Sequence, residues 1–300
     1  MNGVLLIDKP KGFTSFDVIA VVRGLTGQRK AGHTGTLDPN ATGVLPVLLG
    51  SATKAQDIIP NHDKKYTADF KLGITTDTLD IWGRELSRVG SDISEEQIAA
   101  SLAEFRGEIT QTPPMFSAVK KNGQRLYDLA RKGVEVEREA RRVTVYSLES
   151  LCFDRERQSG TLEIFCSKGT YVRTIIDDIG QRLGVGAVMT DLRRTEACGF
   201  SLGDCVTLDE LKALKERGDI ASAVRSVEGL FAEYQGISVS PNQAKRFSNG
   251  GALDISRTSL RKSSPQSGQL LRVSEQDGGF LGLGIVDTER NRIKIYKLFK

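Results

Sequence analysis

Residues 32–43 read Gly32-His33-Thr34-Gly35-Thr36-Leu37-Asp38-Pro39-Asn40-Ala41-Thr42-Gly43, and the interpretation of the whole chain depends on this stretch. Its glycines let the backbone bend tightly or approach a ligand closely. Asp38 precedes proline, which favours an extended conformation for the aspartate, and the apolar run 44–49 follows as buried support. A carboxylate at the tip of such a loop is well placed for chemistry. Composition alone favours a plainer alternative, a turn in which Asp38 binds its own backbone.

Upstream of this stretch, the sequence predicts a strand, a turn and a helix. Residues 3–7 are apolar and are typical of a buried strand, which the turn 10–12 interrupts. Thr14 or Ser15 can cap a helix that runs to Gly24 or Gly27. Lys9 and Lys11 lie at the turn and could meet a phosphate, although turn lysines are usually solvated.

Downstream, residues 65–72 alternate strictly, which predicts a half-buried strand with Tyr66 on its apolar face. Residues 169–170 open a second helix whose apolar stripe runs from Val172 to Leu183. Tyr171 and Arg173 lie in its first turn, off that stripe. Because the helix dipole disfavours an arginine there, we expect a specific anionic partner for Arg173. A solvated surface arginine is the equal alternative.

The rest of the chain reads as further helices and strands in two regions. Capping boxes at Ser94 and Thr207 predict two helices, and another helix is predicted over 219–233. Residues 51–59 favour a short helix, and 143–148 and 161–166 favour strands. The composition changes near residues 234–236, after which a short helix at Ser240 and glycine-punctuated strands over 269–300 are predicted. We therefore predict two domains, 1–234 and 235–300.

Charge is mild overall and concentrated locally. The 300 residues carry a net charge of +4, so contact with a polyanion must come from local clusters. Residues 120–142 alone hold an excess of four positive charges. A charge run is usually a solvated face, but this one is basic and includes Tyr127, which suits a phosphate backbone and an unstacked base.

Cysteines and histidines do not show metal-site spacing. The four cysteines form no CxxC pair, and the two histidines, His33 and His62, are far apart in sequence. We expect reduced thiols, no metal and no cofactor. Asp8 interrupts the first apolar run, so we expect no signal peptide, and no apolar run approaches membrane-spanning length. The expected setting is the cytoplasm, without membrane contact.

Four segments together resemble one enzyme family. The stretch 32–45 resembles the catalytic motif of the tRNA pseudouridine-55 synthases, and residues 3–15 are similar to the opening motif of that family. Residues 168–173 resemble its second site motif, and 189–194 its third. The resemblance spans roughly residues 3–215.

The resemblance implies roles for six residues. Asp38 is implied as the catalytic aspartate, Arg173 as the group that keeps it ionised and fixes its direction, and Tyr66 as the ring that stacks on the target base and assists proton movement. Substrate contacts are implied for three residues: His33 near the flipped base, Tyr171 as a pocket wall and Leu192 against the base. Lys9 is expected as a further substrate contact, because its place in the turn could bring it to a phosphate.

The resemblance also implies the fold and the substrate. It implies an α+β protein with a pseudouridine-synthase-like mixed or antiparallel central sheet and flanking helices. Residues 120–142 are implied as an RNA-gripping insertion, and 235–300 as a small β-rich, PUA-like RNA-binding domain. The implied reaction is conversion of uridine 55 in the tRNA T-loop to pseudouridine, with assistance to tRNA folding as a further expected activity. We also expect a monomer without an obligate protein partner, because no stretch of the sequence resembles a long apolar interface helix.

Two other hypotheses remain at the level of sequence. The chain could be a tRNA-binding module whose basic insertion acts while the site stays idle, although Asp38, Tyr66 and Arg173 argue against this. A metal-dependent hydrolase built on His33 and Asp38 is disfavoured, because further ligands are missing.

Overall fold

The computed structural model describes residues 1–299; Lys300, at the end of the predicted C-terminal strands, lies outside them. The strands of the described chain are β1 (Gly3–Lys9), β2 (Ala31–His33), β3 (Thr42–Leu49), β4 (Lys64–Leu72), β5 (Ile74–Thr76), β6 (Glu85–Arg88), β7 (Gly107–Gln111), β8 (Lys120–Lys121), β9 (Gln124–Arg125), β10 (Arg141–Asp154), β11 (Ser159–Cys166), β12 (Ala187–Ala197), β13 (Phe200–Ser201), β14 (Val224–Arg225), β15 (Gln235–Val239), β16 (Leu253–Asp254), β17 (Leu270–Glu275), β18 (Phe280–Asp287) and β19 (Arg292–Leu298).

Helices surround these strands. The α-helices are α1 (Ser15–Thr26), α2 (Glu95–Ala103), α3 (Leu126–Ala130), α4 (Val172–Arg182), α5 (Leu208–Glu216) and α6 (Pro241–Ser248). Short 3₁₀ helices cover Gly50–Ala55, Leu202–Asp204, Ile220–Ala223, Val227–Phe231, Ile255–Arg257 and Ser259–Lys262.

A central mixed sheet organises the first part of the chain. Its order is β14-β1-β3-β12-β4-β11-β10-β7, with β2 added on β3 and β13 on β12. The pairing of β3 with β12 is parallel, and the other described pairings of this sheet are antiparallel. Helices α2 and α4 contribute to the core against β4 and β10–β12, while α1 and α5 cover β1 and β3. The predicted α+β class with a mixed central sheet is confirmed.

Gly43 permits the parallel contact at the centre of this sheet. It pairs with Arg194 and has a φ of 104°, a conformation that side chains rarely adopt. A Cβ at this position would lie 2.1 Å from the carbonyl oxygen of Arg194. The glycine that ends the first motif therefore lets β3 lie directly against β12, where the third motif lies.

Locally encoded elements form where the sequence predicts them. Thr14 caps α1 through a capping box, and Ser94 and Thr207 do the same for α2 and α5. Tyr66 and the alternate residues after it in β4 are buried, as the alternation predicts. The hydroxyl of Ser240 accepts a hydrogen bond from the N–H of Gln243 and caps α6.

The predicted helix over 219–233 is wrong. Two 3₁₀ turns, Ile220–Ala223 and Val227–Phe231, flank the short strand β14, which pairs with β1. The segment follows the sheet edge because Val227, Leu230 and Phe231 are buried in a tertiary cluster. Residues 73–80 contain strand β5, which forms a hairpin with β6.

A second sheet follows from Gln235 onward, in the order β15-β17-β18-β19-β16. It has its own core with α6, around Ile237, Phe247 and Val273. A further cluster joins it to the first sheet, since Leu283 and Phe299 pack with Val4, Leu48 and other residues of the first sheet's region. Over residues 1–299, no helix is long and apolar enough to cross a membrane.

Candidate active site

The loop that carries Asp38 is anchored at both sides of the aspartate. The Leu37 N–H donates to Ser15 Oγ at 2.9 Å, and Ser15 Oγ donates to the Leu37 carbonyl at 3.1 Å. On the other side, the Pro39 carbonyl accepts from the Gly12 N–H at 2.9 Å and from Lys9 Nζ at 3.0 Å. The first residues of the chain therefore fix the backbone on which Asp38 sits.

Lys9 is a buried scaffold residue and not a solvated turn lysine. Its side chain is fully buried, and its ammonium donates to the carbonyls of Pro10, Phe13 and Pro39. Burial lowers the pKa of Lys9 to about 8, although Asp38 opposes this effect. Three donors with three acceptors leave no N–H for a phosphate. The predicted substrate contact of Lys9 therefore gains no support, because the loop itself uses the ammonium.

Asp38 and Arg173 form a direct ion pair. Arg173 Nε lies 3.0 Å from Asp38 Oδ2, and the arginine is 5% exposed while the aspartate is 41% exposed. The other guanidinium nitrogens donate to the carbonyls of Thr78, at 2.7 Å, and Phe116, at 3.0 Å. Arg173 thus has the anionic partner that its place in the first turn of α4 predicts. The arginine is fixed on three sides, while the carboxylate stays accessible.

Asp80 is a second carboxylate at the arginine, and the sequence analysis missed it. Asp80 Oδ2 lies 3.8 Å from Arg173 Nη1. Burial raises the pKa of Asp80, whereas a hydrogen bond from Thr78 and the charge of Arg173 oppose the rise. A weak signal was present in the sequence, since Asp77 and Asp80 lie close together after β5 and an arginine at a helix start favours an anionic partner.

Tyr66 and Leu192 lie in the buried cluster beneath the loop. They are 6% and 7% exposed and share this cluster with Leu37 and Ala41, the apolar residues that flank Asp38. Burial raises the pKa of Tyr66 to about 12, and Asp38 is close enough to add to the rise, while Arg194 opposes it. The phenol therefore keeps its proton at neutral pH.

His33 lies at the base of the same loop and is neutral. Burial, followed by the charge of Arg194, lowers the pKa of His33. Its Nδ1 atom is buried without a hydrogen-bond partner. The ring meets Phe16 edge-on, with centroids 5.9 Å apart, and Phe16 is exposed. An uncharged ring beside an exposed aromatic suits contact with a base better than proton transfer.

Tyr171 is held by its backbone at the start of α4. Its N–H donates to Gln111 Oε1 at 2.7 Å, and Gln111 Nε2 donates to the Tyr171 carbonyl at 3.0 Å. Gln111 ends β7 and is buried. This reciprocal pair fixes the turn that brings Tyr171 and Arg173 together, with the tyrosine half-buried.

Arg194 is the other positioning residue that the sequence analysis did not single out. It is fully buried, and it donates to the carbonyls of Val44, at 2.7 Å, and Gly35, at 3.1 Å. Both carbonyls belong to the chain around the Asp38 loop. The adjacent arginines Arg193 and Arg194 in the third motif suggest a structural or binding role. The partners of Arg194 are about 150 residues away in sequence, so the sequence pattern alone could not identify them.

The basic insertion forms an open pocket. Its volume is about 550 Å³, and it is lined mainly by Lys120, Arg125, Arg131 and Lys132, with Asp128 as the one acidic residue. Arg125 and Arg131 both lie over the Tyr127 ring, at 5.6 and 5.5 Å. The two arginine cations and the tyrosine ring thus lie together, an arrangement that suits binding of a single-stranded nucleic acid. In residues 1–299, no group of three or more His, Cys, Asp or Glu could hold a metal ion.

Comparison with known proteins gives consistent matches over nearly the whole chain. Residues 23–172 match the model described as "TruB family pseudouridylate synthase (N terminal domain)", and 173–231 match "tRNA pseudouridylate synthase B C-terminal domain". The chain is 42% identical to tRNA pseudouridine synthase B of Clostridium perfringens, over 96% of each protein. It is 43% identical to tRNA pseudouridine synthase B of Pseudomonas fluorescens, over 100% of this chain and 96% of that protein.

The fold also matches a solved structure. A chain of the crystal structure of a Cbf5-Nop10-Gar1 complex superposes with a TM-score of 0.73 at 26% identity, over 99% of this chain and 85% of that one. The match covers both sheets, so the second sheet belongs to the shared architecture.

Proposed function

The chain belongs to the TruB family of pseudouridylate synthases, and from this premise we propose that it converts uridine 55 in the T-loop of tRNA to pseudouridine. The relatives named tRNA pseudouridine synthase B, at about 40% identity over nearly the full length, support tRNA as the substrate. The observation that carries the proposal is the Asp38–Arg173 ion pair. Each guanidinium nitrogen of Arg173 has a partner, and the arginine orients a carboxylate that remains accessible.

The reaction is an isomerisation. The bond between uracil N1 and ribose C1′ breaks, the base turns, and a new bond joins C5 to C1′. C5 loses its proton and N1 gains one, so no redox step and no added group are needed. A carboxylate near the ribose is required, and Asp38 fits this need.

Asp38 can act by either of two routes. As a nucleophile it would attack C1′ and hold the sugar covalently while the base turns. As a base it would remove the C2′ proton and leave an unsaturated sugar. In both routes Arg173 pairs with the carboxylate and fixes its direction through a charge-assisted bond. Asp80 shares the same guanidinium and belongs to this network as a positioning residue.

Tyr66, Leu192 and Tyr171 are proposed to hold the uracil. Leu192 packs against the base and Tyr171 closes the pocket. Tyr66 stacks on the ring and, with its pKa near 12, acts as a neutral phenol. It therefore relays a proton at C5 through its hydroxyl group and does not serve as a standing phenolate.

Access to the uridine requires base flipping. Unstacking costs about a few kcal/mol, and stacking on an aromatic ring returns ~1–3 kcal/mol per base. We propose that His33 contacts the RNA where the base leaves the stack, and that the insertion 120–142 grips the backbone. The second sheet, in the domain 235–300, is proposed as a further RNA-binding, PUA-like module; Lys245, Arg261 and Lys262 lie exposed on it.

Single-turnover conversion of a T-arm stem-loop tests the site, with binding measured on the same samples. We expect Asp38→Asn to form no pseudouridine while its Kd stays within about threefold of the unmodified protein. Asp57→Asn, which changes an exposed aspartate elsewhere, is the matched control and should convert normally. If the unmodified protein binds and leaves uridine unchanged, the tRNA-binding hypothesis replaces the isomerase; if Asp38→Asn converts normally, Asp38 is only a turn residue.

Assistance to tRNA folding is a separable part of the proposal. It rests on the basic insertion and not on the carboxylate, so Asp38→Asn should refold a misfolded tRNA as well as the unmodified protein does. We further propose a cytoplasmic monomer. Four free thiols suit a reducing compartment, and light scattering in solution measures the oligomeric state.

A further inference from the structure

Trp82 is an exposed aromatic side chain beside the candidate site. It is the one tryptophan of the chain, and 43% of its surface is exposed, next to Ile81 at 39%. Both residues lie in the tight loop between β5 and β6, directly after Asp80. None of the roles described above uses this ring.

The loop is rigidly fastened to the site. The Ile81 N–H donates to the Met189 carbonyl at 2.9 Å, and the Met189 N–H donates to the Leu79 carbonyl at 3.2 Å. Asp80 Oδ1 accepts from the Trp82 N–H at 3.3 Å. The Thr78 carbonyl accepts a hydrogen bond from Arg173. Trp82 is therefore held at a fixed position with respect to Arg173 and to the strand that carries Leu192.

A lysine of the first motif lies against this ring. Lys11 Nζ is 5.1 Å from the indole centroid and 3.2 Å from Asp191 Oδ1. Lys11 and Asp191 are each about half exposed, and an exposed pair of this kind contributes little free energy. Lys11 can therefore exchange its carboxylate for another anion without a large cost. Arg84, 79% exposed, adds a second cation on the same loop.

The geometry points to a nucleotide contact: we propose that Trp82 and Lys11 bind an unpaired RNA nucleotide next to the reacting uridine. The base stacks on the exposed part of the indole, and the Lys11 ammonium meets its phosphate. This inference rests on the proposed function and adds a specificity contact to it. The apolar surface is two residues wide, which suits one base and falls far short of the ~800 Å² per partner typical of protein interfaces.

Fluorescence gives a direct test because Trp82 is the sole tryptophan emitter. Titration with a T-arm stem-loop should change the Trp82 emission with the same Kd that filter binding gives. Trp82→Ala should weaken binding roughly 5- to 100-fold, the range that base–aromatic stacking provides, and should raise KM more than it lowers kcat. Trp82→Phe keeps a ring and should restore most of the affinity.

Lys11→Gln separates the phosphate contact from the stacking contact. It should reduce the slope of log Kd against log salt by about 0.7, the value for one contact to a single strand. Leu86→Ala is the matched control, because Leu86 is an exposed apolar residue in strand β6 of the same hairpin. It should leave Kd and the salt slope unchanged.

Different experimental results would contradict the nucleotide contact and the proposed function. If the protein forms pseudouridine while its tryptophan emission stays constant on saturation with RNA, the nucleotide contact is wrong and the enzyme stands. An unchanged Kd in folded Trp82→Ala, or Trp82 fluorescence that responds to a protein partner but not to RNA, also overturns it. If the unmodified protein forms no pseudouridine, the proposed function fails whatever the emission does.

Discussion

At the scale of single residues, the proposed chemistry depends on how Arg173 directs Asp38. The planar guanidinium uses Nε for Asp38, Nη1 for the Thr78 carbonyl and Nη2 for the Phe116 carbonyl. A lysine ammonium is a point charge that cannot reproduce this fork. The substitution of Arg173 by lysine therefore keeps the charge and removes the direction.

We predict that Arg173→Lys lowers the single-turnover rate at saturating RNA by about 10²–10³-fold, as loss of a preorganised charged contact typically does. Kd should change much less, because Arg173 is buried and the RNA does not need to reach it. Arg182→Lys on the same helix is the control, since Arg182 pairs with Glu104 at the surface. A near-normal rate for Arg173→Lys would show that Asp38 needs no directed partner.

Residue-level prediction from sequence succeeded where the reason was local. The helix dipole at Arg173 called for an anion, and Asp38 supplies it. It failed where the reason was tertiary. Asp80 reaches the same guanidinium from a distant hairpin, and Lys9 is buried by carbonyls of its own turn and of the Asp38 loop. Neither the Asp80–Arg173 contact nor the hydrogen bonds of Lys9 can be recognised from the local sequence.

At the scale of elements, α4 combines a core face with a first turn that carries Arg173, for which we propose a role at the active site. Ile175, Ile176 and Ile179 pack into the core, while Arg173 turns to the loop. Asp178 is half-buried on this helix, and burial together with its neighbour Asp177 raises its pKa to about 6. The ionised Asp178 carboxylate therefore destabilises the folded state at neutral pH.

We predict that Asp178→Asn stabilises the protein at pH 7 by about 1 kcal/mol, a value reduced for partial exposure. The folded pKa is raised, so the folded state binds the extra proton between about pH 4 and 6. The contribution of Asp178 to stability is thus present at low pH and is lost as pH rises through 6. Urea unfolding at pH 4 and pH 7 checks this prediction. An equal increase in the free energy of unfolding of Asp178→Asn at both pH values would contradict it.

Elements were predictable from sequence when their signals lay within a few residues. The capping boxes predicted at Ser94 and Thr207 form, and of the two candidate caps for α1, Thr14 is the one used. The segment 219–233 did not become a helix, because edge pairing of β14 with β1 and burial of Phe231 outweigh its helical propensity. Strand β1 lies about 220 residues away in sequence, so local propensity could not reveal this pairing.

At the scale of the whole molecule, a common hydrophobic cluster joins the two sheets, so we expect them to unfold together. Phe299 is buried against Phe231 and Phe280, with ring centroids 5.5 and 5.6 Å away. Its carbonyl accepts a hydrogen bond from Ser51, and Lys54 donates to the Leu298 carbonyl. The end of the second sheet is thereby fastened to the first, which fixes the proposed RNA-binding module with respect to the candidate site.

We predict that Phe299→Ala destabilises the protein by about 3–5 kcal/mol, the usual cost of removing a buried phenylalanine. Unfolding should remain one transition, shifted to lower urea, as followed by circular dichroism. Tyr296→Ala, at an exposed position of β19, the strand that ends just before Phe299, is the control and should change stability by less than about 1 kcal/mol. Two separate transitions in the unmodified protein would contradict the shared core.

The most direct test of the central claim is tritium release from tRNA labelled at C5 of uridine, because forming the C5–C1′ bond expels that hydrogen. The unmodified protein should release one tritium equivalent per tRNA, and a tRNA carrying cytidine at position 55 should release none. Equal release from both RNAs would show that the enzyme acts elsewhere, and no release from either would show that the chain is not a pseudouridine synthase.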